Sequence, residues 1–309
     1  MLNIQKNISL SKFTTFKIGG SAKFFVEVKN EDEIIETVRY AKENNLETFI
    51  LSGGSNLLIS DEGFSGLVIK VSNSEIEFNE NEVICGAGVL LSRLVLESAR
   101  NNLTGLEWAA GIPGMVGGAI VGNVGAFGGE IKDNLKEVKA LDFKDNKVKI
   151  YKNNECGFGY RNSIFKENYG KIILITAKFK LEKGDKNDSE EKIKEVVKKR
   201  KEKQPQYPSA GSFFKNPIVK NEKIIENFEK DTSFKIQNNK IPAGWFIESV
   251  NFKGKQVGGA QVSKKHANFI VNTGNATAED VIMLSSLIKQ KVRDKFGVQL
   301  KEEIKMVGF

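Results

Sequence analysis

Hydrophobic and polar positions follow two different periods along this chain, and each change of period marks an element. Residues 31–45, EDEIIETVRYAKENN, place Ile34, Ile35, Val38 and Ala41 on one helical face and open with acids, which suit a helix N-terminus. The apolar run 48–51 meets Ser52-Gly53-Gly54-Ser55-Asn56 and then Leu57-Leu58-Ile59, which predicts a strand, a glycine turn and a second strand. Short strands at 67–71, 76–78 and 83–85 precede a helix at about 90–101. Further strands are predicted at 138–143, 148–151 and 172–181, the last with Ile173, Ile175, Ala177, Phe179 and Leu181 on one face. A polar stretch, 182–191, then leads into a helix reaching about residue 203, with Asp188 and Glu191 spaced as a capping box. Beyond it the pattern predicts a loop at 204–216, a short helix at 243–250 and a strand at 268–272. A longer helix at 278–295 has Thr277 as N-cap, Val281, Leu284, Ile288 and Val292 inward, and Gly297 as its stop. A final strand at 298–307 ends the chain. Strands and helices in mixed order predict an α+β fold. The 309 residues exceed what one core organises, so two domains are expected, 1–182 and 183–309.

One segment fits neither period. Residues 111–129 carry Gly111, Gly114, Gly117, Gly118, Gly122, Gly125, Gly128 and Gly129, a density that predicts mostly loop. Small residues at Ser52, Gly53, Gly54, Ser55, Asn56 can aim successive backbone N–H groups at a phosphate, or simply form a tight turn. Gly111-Ile112-Pro113-Gly114, Gly117-Gly118 and the stretch with Asn123, Gly125 and Ala126 offer a second exposed-backbone surface. Two such loops in one domain suit an extended dinucleotide, although neither a GxGxxG nor a GxxxxGK[ST] fingerprint is present.

Composition narrows the chemistry. The formal charge of +8 and a pI near 9.2 favour an anionic ligand. Nucleic acid is not expected, because the lysines are scattered and mostly interleaved with acids, apart from the run 192–203. A single histidine, His266, removes multi-histidine metal centres and most histidine-centred catalysis. Cys85 and Cys156 form no CxxC pair and read as packing residues. No apolar run approaches a membrane span and residues 1–17 lack a signal-peptide layout, so a soluble cytoplasmic protein without a membrane partner is expected.

Other candidate residues each have two readings. Arg161, in Tyr160-Arg161-Asn162-Ser163, grips a carboxylate bidentately or is a surface arginine. Ser212, between Gly211 and Phe213-Phe214, combines a hydroxyl with water-excluding neighbours. Glu303 shares a strand face with Lys301 and Lys305, opposite Leu300, Glu302, Ile304 and Met306, and reads as a solvated face or as a site residue. His266 is a satisfied structural histidine or a ligand contact.

Taken in order, several motifs carry a resemblance. They are Thr14-Thr15-Phe16-Lys17-Ile18-Gly19-Gly20, Gly53-Gly54-Ser55-Asn56-Leu57-Leu58, the 111–129 loop, Phe158-Gly159-Tyr160-Arg161-Asn162-Ser163, the 211–217 stretch, Ala243-Gly244-Trp245-Phe246-Ile247-Glu248 and the ending 300–308. From about Phe13 onward the chain resembles the UDP-N-acetylenolpyruvoylglucosamine reductase (MurB) family. The resemblance implies a vanillyl-alcohol-oxidase-type FAD-binding domain and a smaller α+β substrate domain whose last strand returns toward the flavin site. It implies non-covalent FAD against Ser52, Gly53, Gly54, Ser55, Asn56 and Leu57 and against Gly111, Pro113, Gly114, Gly117, Gly118, Asn123, Gly125 and Ala126, with NADPH as hydride donor.

The implied reaction is reduction of an enolpyruvyl group on a UDP-sugar. Arg161 would balance charge growing on the substrate carboxylate, Glu303 would donate a hydrogen bond to it when protonated, and Ser212 would give the proton to the α carbon. Tyr160, Asn216 and His266 match positions that contact substrate. The interval from Arg161 to Ser212 is too short for the tyrosine-bearing insertion of some members, which places this chain in the short-loop branch. Two other readings are an FAD-linked oxidase with another substrate, which the motifs beyond residue 203 oppose, and a basic phosphate- or nucleic-acid-binding module. The sequence assigns no oligomeric state.

Overall fold

The helix predicted from residue 31 forms as Glu31–Glu43 because Asn30 Oδ1 accepts from Glu33 N–H at 2.9 Å while Ile34, Val38 and Ala41 turn inward. The computed structural model that shows this describes residues 2–236 and 238–309. The helix lies in a first unit made of the residues up to Ile8, Ala22–Gly54 and Phe64–Glu202. Its strands Ser21–Val28, Phe64–Val71 and Thr48–Leu51 pair in parallel in that order, and Gln5–Ser9 completes the sheet beside the first of them. A second sheet is antiparallel, in the order Lys147–Lys152, Leu135–Asp142, Ile172–Lys180, Glu82–Gly86 and Ile76–Asn79. The helix Leu91–Arg100 buries Leu91, Leu94, Val95 and Ala99 in the same core.

The division between units falls after Glu202, whereas the polar composition places it near residue 183. The reason is the helix Lys186–Lys203, which turns Ser189 and Ile193 inward and packs Val196 on the first core. Ser189 Oγ donates to Glu107 Oε1 at 2.6 Å, and Glu182–Lys183 pairs with Leu103–Thr104. This helix also starts earlier than its apparent capping box, because the N–H groups of Asn187 and Asp188 donate to Asp185 Oδ1 at 2.7 and 3.2 Å. Asp185, rather than Asp188, covers its N-terminus.

The glycine-rich stretch is not wholly loop, since Val116–Val121 is a short helix. Tertiary contact overrides glycine's poor helix propensity there. Gly117 donates its N–H to Ala87 O at 2.8 Å, and a Cβ at this position would lie 3.0 Å from both the Ala87 Cβ and its carbonyl oxygen.

The second unit gathers Ser9–Ser21, Ser55–Gly63 and the described part of Lys203–Phe309. Its helix Ala278–Phe296 matches the predicted face, with Val281, Leu284, Ile288 and Val292 buried and Gly297 at φ 66° as the stop. A helix at Glu222–Thr232, capped by Asn221, was not anticipated from the pattern. The last strand is shorter than expected. Lys305–Val307 alone forms it, in parallel with Leu57–Ile59, and the predicted alternation fails there because Val307 is buried in place of Met306, while Glu302 pairs with Lys289 at 2.7 Å. Among the described residues, no helix is long and apolar enough to cross a membrane.

The start of the long helix offers a pH test. Thr277 Oγ1 accepts from Asp280 N–H at 3.1 Å, and Asp280 Oδ2 accepts from Thr277 N–H at 3.1 Å and Gly259 N–H at 3.0 Å. These bonds hold the Asp280 carboxyl below its ordinary 3.8. A depressed carboxylate stabilises the fold above its unfolded pKa and loses that contribution as pH falls through the folded one. Asp280→Asn should therefore lower Tm at pH 7, with the gap to the native chain complete above pH 3.8 and closing below it. Thr277→Ala should cost about 1 kcal/mol in denaturant unfolding.

Candidate active site

Within the first unit, the two glycine segments meet backbone to backbone. A Cβ at Gly53 would lie 2.6 Å from Gly114 Cα and 2.9 Å from Met115 N, so no larger residue permits this approach. Ser52 Oγ accepts from Gly118 N–H at 3.2 Å, tying the two segments together, and Gly114 O accepts from Leu91 N–H at 3.0 Å. Pro113 and Gly111, the latter at φ 73°, complete the near side of the second segment.

Arg161 stands at φ 54°, a backbone region unfavourable for an arginine. The strain is held by its turn, in which Gly159 N–H donates to Asn162 O at 3.0 Å and Asn162 N–H to Gly159 O at 3.2 Å. The guanidinium donates from Nη2 to Gly125 O at 2.8 Å and lies 5.6 Å from the Tyr160 ring centroid. Gly125 and Ala126 form a small hairpin with Gly129 and Glu130. Burial pushes the Glu130 carboxyl up, but hydrogen bonds from Lys132 and Asn123 and the charge of Arg161 outweigh it and hold that carboxyl below its ordinary value.

Asn123 links two parts of this unit. Its side chain is fully buried at φ 40°, with Nδ2 donating to Glu130 Oε2 and to Gly159 O, both at 3.0 Å, and Oδ1 accepting from Lys132 N–H at 3.2 Å. Both amide protons are committed, so Asn123 joins the hairpin to the Arg161 turn. Gly117 is likewise committed through its N–H to Ala87 O.

Within the second unit, the segment that follows Ser212 pairs with the segment that bears Glu303. Glu303 N–H donates to Phe213 O and Lys215 N–H to Lys301 O, both at 2.8 Å. On the other edge Phe213 N–H donates to Asn268 O at 2.7 Å, and the Asn268 side chain grips Phe214 twice, accepting its N–H at 3.0 Å and donating to its carbonyl at 2.8 Å. Phe213 and Phe214 are buried with rings 5.0 Å apart, so the half-buried Ser212 leads into a rigid apolar anchor. Asn268 is the residue that sequence reasoning missed. A buried asparagine beside a strand is the signal that could have revealed it, because such an amide needs backbone partners.

The same unit links Glu303 to the end of the first glycine turn. Asn56 Nδ2 donates to Glu303 O at 3.3 Å, and Lys305 N–H donates to Asn56 O at 3.0 Å. Ser55 and Asn56 thus run directly into Leu57, whose strand carries the chain's C-terminal strand. Thr15 Oγ1 donates to Ser209 O at 2.7 Å, which gives the Thr14-Thr15 motif a part in holding the loop before Ser212.

Asn216 Oδ1 accepts from Ala243 N–H at 2.9 Å and so caps the Ala243–Ser249 helix. His266 packs its ring 4.8 Å from that of Phe269, and burial lowers its pKa, so it is neutral at pH 7. Its Nδ1 accepts from Asn268 N–H at 3.2 Å, which places the ring proton on Nε2 as a donor. Cys85 and Cys156 are buried, and burial pushes both thiols up to about 12, removing them as nucleophiles.

The first unit defines the class: residues 22–150 match the family described as FAD binding domain, and the chain is a flavoprotein whose sequence continues into a second domain. Residues 204–307 match the family described as UDP-N-acetylenolpyruvoylglucosamine reductase, C-terminal domain, and begin where the units divide. The UDP-N-acetylenolpyruvoylglucosamine reductase of Caldanaerobacter subterraneus subsp. tengcongensis is 40% identical over 304 residues, 98% of this chain and 93% of that protein. The protein of the same name from Fervidobacterium nodosum is 41% identical over 302 residues, covering 97% and 90% of the two chains. The crystal structure of the Thermus caldophilus enzyme superposes with a TM-score of 0.79 at 32% identity, covering 99% of this chain and 100% of that one. This chain belongs to the UDP-N-acetylenolpyruvoylglucosamine reductase family.

The residues present fit FAD on two observations. Gly53 packs its bare backbone against Gly114 and Met115, so the two glycine segments meet with no side chain between them. Arg200, near the same loop, holds buried guanidinium nitrogens without a hydrogen-bond partner. Gly53→Ala should force the segments apart and weaken FAD binding by about tenfold or more, equivalent to ~1.4 kcal/mol. Flavin fluorescence titration of the apoprotein measures it, and native affinity in the variant would contradict the assignment.

Proposed function

We propose that this chain reduces the enolpyruvyl group of a UDP-sugar, using FAD held by the first unit and NADPH as electron source. Family membership supplies the reaction class, and the observation that supports the choice of residues is the bond from Glu303 N–H to Phe213 O, which joins the segment that follows Ser212 to the one that bears Glu303. The glycine segments around Gly53 and Gly114 would hold FAD, which would supply hydride-transfer chemistry between the nicotinamide and the substrate.

The protein's task is then to manage charge and a proton. Reduction at the methylene carbon drives negative charge onto the neighbouring carboxylate. Arg161 is the cation we assign to that carboxylate, pre-aimed by its bond to Gly125 O and therefore needing little reorganisation. Glu303 adds a hydrogen bond when it carries a proton. Ser212 delivers the proton to the α carbon, a demanding role for a hydroxyl that the strong basicity of an enolic carbon makes feasible. Tyr160, Asn216 and neutral His266, with its Nε2 proton, are assigned to holding the rest of the substrate, a small UDP-sugar rather than nucleic acid.

Anaerobic stopped-flow separates the two half-reactions. In the native protein NADPH should bleach the flavin absorbance, and the enolpyruvyl UDP-sugar should restore it. Ser212→Ala should leave the bleaching rate unchanged and slow the restoration by about 100- to 10,000-fold. Equal loss of both steps would contradict Ser212 as the proton donor, and bleaching without restoration in the native protein would contradict the substrate.

A further inference from the structure

Arg200 occupies a position where the helix Lys186–Lys203 would ordinarily bury an apolar side chain. Ser189, Ile193, Val196 and Arg200 recur at helical spacing on one face, and the first three bind or pack against the first unit. Arg200 continues that face inward, where its Cδ would be 3.1 Å from a Cβ at Gly111. Its guanidinium carbon lies 5.1 Å from the centroid of the Phe127 ring, which covers one face of the cation.

Nε and Nη2 of this guanidinium are buried and have no hydrogen-bond partner. Burial alone pulls its pKa below the ordinary arginine value, with no acid opposing the shift. Unpaired buried donors on a cation are costly, and native proteins keep them where a ligand completes them. The two orphan donors are the side-on edge of the fork, the pair that meets two oxygens, or an oxygen and a ring nitrogen, at once.

We propose that Arg200 is an FAD ligand, its Nε–H and Nη2–H closing on a two-acceptor edge of the cofactor at the Gly111 loop. This rests on FAD occupying the first unit. Two parts of FAD offer such an edge: the pyrophosphate oxygens, and the N1 and C2 carbonyl side of the isoalloxazine. The cation would serve the first by holding the cofactor, and the second also by favouring the reduced, more negative ring.

The test compares native protein, Arg200→Met and Arg200→Lys, each measured for FAD affinity as apoprotein, for midpoint potential as holoprotein, and for Tm in both forms. Methionine removes the orphan charge and keeps an apolar stem, so apo Tm should stay level or rise. FAD dissociation constants should increase about tenfold or more in Arg200→Met, and the Tm gain on adding FAD should shrink accordingly. Arg200→Lys should recover only part of the affinity, because an ammonium keeps the charge without the fork. An unchanged potential assigns the contact to the pyrophosphate. A lowered potential, with riboflavin binding weakened in proportion, assigns it to the ring. Unchanged affinity and potential in Arg200→Met would overturn the proposal, as would a fall in apo Tm large enough to account for the lost affinity. The native protein is the control for the cofactor itself: if it takes up no FAD, the reading of the first unit fails, which is a different result from a silent Arg200.

Discussion

Two-sided pairing of the segment that follows Ser212 is the constraint on which the second unit's chemistry rests. Phe213 and Phe214 are bonded to Asn268 and to the segment bearing Glu303, and both rings are buried. The hydroxyl we propose as proton donor gains from this, since a side chain on a free loop would lose rotational entropy at each turnover. The same pairing fixes Glu303, and Asn56 ties Glu303 to the glycine turn on the preceding strand. Beside that side-chain bond, Lys305 N–H donates to Asn56 O and Leu57–Ile59 pairs in parallel with Lys305–Val307, so backbone bonds also join these distant segments.

The first unit solves a different problem by a related route. Its glycines let backbone approach backbone, and the arginine assigned to the substrate is held in a strained turn by a fully buried asparagine. Asn123 spends both amide protons on this, and the strain at Arg161 persists because Lys166 Nζ, Asn162 and Gly159 bind the same turn from several sides. Orientation is thus settled before ligand arrives.

What could be read from the sequence was what local periodicity encodes. The helix capped by Thr277 and stopped by Gly297 was legible because its cap, its inward face and its terminal glycine all agree. The first glycine turn was legible as a turn, and the motifs around Ser212, Arg161 and Glu303 as candidates, through their family resemblance. Long-range decisions were not legible. Ser9–Ser21 and Ser55–Gly63 pack with residues 203 and beyond, which no window of sequence records. The helix Lys186–Lys203 looked like the start of the second domain because its exposed charge hides a narrow inward face of Ser189, Ile193 and Val196. Val116–Val121 looked like loop because glycine propensity was weighed without the Ala87 backbone against which it fits. Asn268 was passed over because a buried amide and an exposed one look alike until their partners are known.

Amide hydrogen exchange measures the two-sided pairing most directly, residue by residue and in the native protein. The N–H groups of Phe213, Phe214 and Glu303 should exchange solely through opening of the whole second unit, with protection matching that of the buried turns of the Ala278–Phe296 helix. Exchange at those three positions as fast as at an exposed loop would contradict the account.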